Sequence, residues 1–137
     1  MKNIQSLVTA LQAIPGSQFD PFKPEWLESA DKDYPGMPDD LRELYIRLGY
    51  GSVGKSRYMI HALLEPEDIF GDAAGEELKG LVIVGDDFAG NCEAYDTKNG
   101  WRFGSLDSFG EFAAHEDPSH GFLEFLQDFI FPEQEKG

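Results

Sequence analysis

The segment Gly49-Tyr50-Gly51-Ser52-Val53-Gly54-Lys55-Ser56 has the residue types and spacing of a phosphate-binding loop. In such a loop the glycines let backbone amides close around phosphate oxygens, the lysine reaches the terminal phosphates and the hydroxyl binds magnesium. The apolar run Leu81-Val82-Ile83-Val84-Gly85 then ends in Asp86, an acid where such enzymes hold the metal. The chemistry needs one setting: a buried strand leading in, and a helix leaving with its N-terminus aimed at the phosphates.

Other groupings invite chemistry as well. His115, Glu116, Asp117 and His120 cluster in a short run, but Pro118 interrupts them and no histidine pair has helical i, i+4 spacing, so a solvated loop is expected. Asp86, Asp87, Asn91, Glu93 and Asp96 offer hard oxygen ligands without the alternation of a calcium loop, and read as a charged strand end and turn. Cys92 alternates with Ala94 along its strand and reads as a buried structural thiol. No metal and no cofactor is expected.

The elements around these residues decide between readings. Ile4, Leu7, Val8, Leu11 and Ile14 recur at helical spacing until Pro15-Gly16 stops them. Pro21, Pro24 and Pro35 suggest a wrapped loop over 19–36, with at most a short helix near Trp26 and with Phe19, Phe22 and Trp26 as core plugs. From Pro38, with Asp39 and Asp40 at the positive end of the dipole, a second helix carries Leu41, Leu44, Tyr45 and Leu48 on its apolar stripe and exits at Gly49. A helix, not a strand, therefore leads into the glycine-rich segment. Residues 57–64 fit a strand or two helical turns, Pro66 to Phe70 a brief helix, and 81–87 a buried strand. Asn99-Gly100 marks a two-residue hairpin between strands holding Tyr95 and Trp101. Phe122, Leu123, Leu126, Phe129 and Ile130 build a last helix, ended by Pro132. The order predicts one α+β domain, a mostly antiparallel sheet with helices packed against it. Phosphate-loop enzymes need a parallel sheet, so the match at Gly49, Gly54, Lys55 and Ser56 is read as a decoy.

Composition narrows the partners. The chain has 137 residues, 41% of them hydrophobic, which suits one domain with a real core. It carries 26 acids against 11 Lys and Arg, a net charge of −15. Such a surface repels nucleic acid and anionic membranes and attracts basic partners. With Cys92 the only cysteine, no internal disulfide can form. No run approaches the roughly 20 apolar residues that span a bilayer, and a cytoplasmic protein is expected. Arg42, Arg47, Lys55 and Arg57 form a small basic island, whereas ten acids accompany the single base Lys79 between Glu65 and Asp96.

Met37-Pro38-Asp39-Asp40-Leu41 through Leu48-Gly49-Tyr50-Gly51 resembles the signature helix and glycine turn of the SUKH superfamily, which groups yeast cell-wall regulators, the Syd protein and many bacterial immunity proteins. Later landmarks follow in order over about residues 25–131: the apolar strand near Tyr58 to Leu64, Glu67-Asp68-Ile69, Leu81 to Gly85, Tyr95-Asp96 and the Phe122-to-Leu126 helix. The resemblance implies a SUKH-like domain and a non-enzymatic binding module, in bacteria most often one that neutralises a toxin. It supplies no catalytic residue. Together with the charge, it leads to an immunity protein that covers a basic, nuclease-type toxin domain. The contact residues expected from the acidic run are Asp86, Asp87, Glu93 and Asp96, then Glu76 and Glu77, with Trp101, Tyr95 and Phe88 either as aromatic anchors or as fillers of the sheet's core face. The alternatives are a regulatory adaptor of the same fold and a small nucleotide-binding enzyme.

Overall fold

The computed structural model describes residues 4–71 and 75–130. Helices α1 (Ile4–Ala13), α2 (Pro24–Asp33) and α3 (Asp39–Arg47) come early, with a short strand β1 (Gln18–Asp20) between the first two. Strands β2 (Tyr50–Val53) and β3 (Tyr58–Leu64) follow, then a single turn of helix α4 (Glu67–Phe70). Next come β4 (Leu81–Asp86), β5 (Cys92–Asp96), β6 (Arg102–Leu106) and β7 (Phe112–Ala114), and helix α5 (Phe122–Ile130) closes the described chain. Every neighbouring strand pair is antiparallel, and the sheet order is the chain order from β1 to β7. The domain is α+β, as the pattern predicts.

Side-chain alternation divides the sheet's two faces. Val53, Tyr58, Ile60, Val82, Val84, Tyr95 and Phe103 share one core with Leu7, Val8 and Leu11 of α1, Leu41, Leu44 and Tyr45 of α3, and Phe122, Leu123 and Leu126 of α5. Leu81, Ile83, Cys92, Ala94 and Leu106 face the other way and pack under Leu78. The continuous run Leu-Val-Ile-Val is therefore apolar because β4 is covered on both faces.

Two expectations are corrected. The stretch expected to wrap as a loop contains the ten-residue α2. Its prolines delimit the helix rather than prevent it: Pro24 sits at the first helical position, with Glu25 in the first turn and Lys32 in the last. The Asn99-Gly100 dipeptide does not make a two-residue hairpin. Asp96 pairs with Arg102, and Thr97–Asn99 form a 3-10 turn capped by the Asp96 side chain. Tyr95 thus faces Phe103 across the strands, and Trp101 lies in the turn at φ +58. Pro132, expected to end α5, lies outside the described residues.

Candidate functional site

The glycine-rich segment does not have the setting that phosphate binding requires. Helix α3 leads into it, β2 occupies its middle, and residues 54–57 turn into β3 rather than into a helix. Gly49 has a packing reason to be glycine. It holds φ +92, and an added Cβ would lie 2.0 Å from the Asp20 carbonyl oxygen of β1. Lys55 and Ser56 are exposed on the turn.

The sequence has another pattern at the same end of the sheet. The β4–β5 loop reads Asp87-Phe88-Ala89-Gly90-Asn91, and the β6–β7 loop reads Asp107-Ser108-Phe109-Gly110-Glu111. Each aspartate accepts hydrogen bonds from the amides two and four residues on: Ala89 and Asn91 at 2.8 and 3.2 Å, Phe109 and Glu111 at 2.9 and 3.0 Å. Each fourth residue is a glycine with positive φ, +93 at Gly90 and +82 at Gly110. The loops touch, since a Cβ on Gly90 would lie 3.4 Å from the Ser108 Cβ. Together they present Phe88, 49% exposed, and Phe109, 89% exposed. Phe88 also holds φ +65, a region costing a non-glycine residue about 1–2 kcal/mol. The neighbouring β2–β3 turn at this end carries Lys55 and Arg57.

A groove opens on each face of the sheet, and the one away from α5 reaches these loops. On the face away from α5, about 500 Å³ is lined by His61, Leu64, Asp86, Phe88, Gly90, Cys92 and Ser108. His61 Nε2 pairs with Asp86 Oδ2, while Asp86 Oδ1 accepts the Phe88 amide at 2.8 Å. Cys, His and Asp side chains meet here, yet the imidazole contact runs to Asp86. Burial, then the acids around it, push the Cys92 thiol up to about 11, so it is not a poised thiolate. Among the described residues no group of three His, Cys, Asp or Glu side chains is arranged to hold a metal ion.

The groove on the helical face measures about 490 Å³ and is lined by Glu93, Phe103, Ser105, Ala113, His115 and Phe125, among others. Glu93, Ser105 and Ala113 form one cross-strand row. Glu93 is only 7% exposed, and its carboxyl accepts a hydrogen bond at Oε1 from the Tyr58 hydroxyl. Burial raises its pKa to about 7, and Asp87 and Asp86 push the same way against the Tyr58 bond. Burial also opposes ionisation of Asp87, but there the loop amides and the Asn91 side chain outweigh it and hold the pKa below the usual value.

The acids and aromatics expected from the sequence to form one contact face are scattered. Asp86 and Asp87 lie at the end of the sheet where the β4–β5 and β6–β7 loops meet (the hairpin end), but Asp86 is paired and Asp87 shapes its loop. Glu93 is buried on the helical face. Asp96 lies at the opposite end, accepting from the Lys98 amide and the Asn99 side chain. Trp101 is 5% exposed there, its indole nitrogen donating to the Pro35 carbonyl at 3.0 Å. Glu76 pairs with Lys79 at 3.1 Å in a 3-10 turn. Glu77 shares that turn, and its side chain lies outside what is described. Phe109 was missed, although the repeated Asp, aromatic and glycine of the two loops was its signal. His115 and His120 stack at 3.8 Å in a turn ordered by Asp117 and Ser119.

Comparison with protein-family profiles, curated proteins and solved structures gives no match for this chain. Among the described residues no helix is long and apolar enough to cross a membrane.

Proposed function

We propose that the protein is a SUKH-type immunity protein that neutralises a basic, nuclease-type toxin domain, and that it does so with the hairpin end of its sheet. The observation carrying this reading is the pair of exposed phenylalanines, Phe88 and Phe109, on two loops stiffened by their own aspartates. A rigid loop loses little conformational freedom on docking, and an aromatic anchor buries much area per side chain. Asp87, Asp107 and Glu111 around them suit a partner whose surface is built to hold nucleic acid. The net charge of −15 would steer such a partner, at rates up to on the order of 10⁸ M⁻¹s⁻¹ at low salt. The resemblance from Met37 to Gly51, and in the later landmarks, supports the same class. Relative to the sequence expectation, Phe88 stays among the anchors, and Asp107, Glu111 and Phe109 take the places of Asp96, Glu93 and Trp101.

The test is co-expression with the reading frame encoded beside this gene, scored by survival and by co-purification at low salt. Protection with a stable complex is expected. A neighbouring product that is toxic but neither bound nor neutralised would sink the reading.

A further inference from the structure

The buried carboxyl of Glu93 is expensive as a purely structural feature. A carboxyl taken out of water needs compensating donors, and the described structure supplies Tyr58 alone, at Oε1. The chain nonetheless keeps the arrangement open on both sides. Gly85 makes room for the Tyr58 ring and hydroxyl, since a Cβ there would lie 2.3 Å from the hydroxyl oxygen. In the cross-strand row the neighbours of Glu93 are the small residues Ser105 and Ala113, both exposed, so the floor of the groove is shallow and reachable from solvent. Half-buried Phe125 and Phe103, only 3% exposed, also line it, their ring centroids 6.1 Å apart and their planes tilted by 51°.

A carboxyl at the base of an aromatic-walled groove is complementary to a cation that is itself flat and weakly hydrated. Guanidinium fits best: it meets a carboxylate with two parallel donors and stacks on aromatic faces, whereas an ammonium is compact and holds its water. Cation–ring attraction operates within about 6 Å of a ring centre and strengthens in desolvated sites. We propose that this groove is a socket for one arginine side chain of the protein partner, with Glu93 as its counter-ion and the half-buried Phe125 ring as its aromatic wall. The partner as the source of that arginine rests on the immunity reading; the socket itself does not.

The Tyr58 hydroxyl from β3 bonds Glu93, Asp86 and Asp87 act on it only through their charge from β4 and its loop, and His115 and Glu116 line the same groove. The raised pKa supports the assignment, because an incoming cation would ionise the carboxyl and displace its proton.

The experiment uses the whole protein alone, isotopically labelled, titrated at neutral pH with N-acetyl-arginine-methylamide. The lysine and citrulline analogues serve as comparisons, citrulline being the uncharged counterpart of the same shape. The expected result is a saturable shift of the Ser105, Ala113 and Phe125 signals. Arginine should bind more tightly than lysine and at least about tenfold more tightly than citrulline, and the Glu93 titration midpoint should fall. Glu93→Gln, checked for folding by its own spectrum, should lose the shift, and Ala113→Leu should block it while leaving Glu93 in place. The socket is wrong if citrulline matches arginine, if both variants bind as the native protein does, or if no saturable shift appears. Loss of the socket with intact protection in co-expression would leave the immunity reading standing. Arginine binding without protection would do the reverse.

Discussion

The two ends of the β5–β6 hairpin carry similar residues in opposite circumstances. At the far end Asp96 and Trp101 sit in a turn; at the near end Asp87, Phe88, Asp107 and Phe109 sit in two loops. The far tryptophan is covered by the segment linking α2 to α3, where Pro35 accepts its indole hydrogen bond and Gly36 approaches its ring. The near phenylalanines project into solvent at 49% and 89%. Residue type is therefore no guide to role here. An aromatic beside an acid is a core element where a connection crosses it and an exposed one where none does.

The comparison breaks most sharply under aromatic deletion. Trp101→Ala should cost about 3–5 kcal/mol by urea unfolding, as expected for a large buried aromatic whose cavity cannot collapse. A loss below about 1 kcal/mol would mean that the far end is not core.

A second contrast sets Glu93 against Asp87, close neighbours with opposite shifts. Glu93 has a folded-state pKa of about 7 against an ordinary 4.5. Between those values the folded protein holds a proton that the unfolded chain has released, so stability falls as pH rises across that window. The fall attributable to this group is on the order of 3 kcal/mol. Asp87 is depressed and acts in the opposite sense, its contribution being lost as pH drops through its folded-state pKa. Unfolding measured from pH 4.5 to 7.5 should show a smaller decline in Glu93→Gln than in the native protein. Equal slopes would contradict the assignment of Glu93.

Gly85→Ala should cost about 1–3 kcal/mol, because the added methyl drives Tyr58 from its place over β4. It should also free Glu93 of its only described donor, which a change in the Glu93 carboxyl titration by NMR would report. The smallest effect belongs to the docking loops. Phe109→Ser should leave stability within about 0.5 kcal/mol of native, since little apolar surface is buried there. A large loss would make Phe109 a structural residue after all.

These contrasts also mark what the sequence conveys. Helical periodicity placed α1, α3 and α5, and the β-branched run placed β4, because each signal is carried by neighbouring residues. The misreading of Asn99-Gly100 arose because the turn is set by the Asp96 cap and by the docking of Trp101 on Pro35, a contact between distant segments. Prolines over 19–36 signalled irregularity where one of them starts a helix. For the candidate site, the excess of acids was plain, but which acids are free was not. Burial of Glu93, pairing of Asp86 with His61 and the capping by Asp96 are products of strand register and loop geometry.

The most direct test of the hairpin end as the binding surface is one charge-and-aromatic exchange made at each end. One variant combines Phe88→Ser, Phe109→Ser, Asp107→Lys and Glu111→Lys; the other carries Asp96→Lys. Survival is then scored in cells co-expressing the reading frame encoded beside the gene, with each variant shown to be folded. Loss of protection by at least about a hundredfold is expected for the hairpin-end variant, with near-native protection from Asp96→Lys. Full protection by a folded hairpin-end variant would contradict the account.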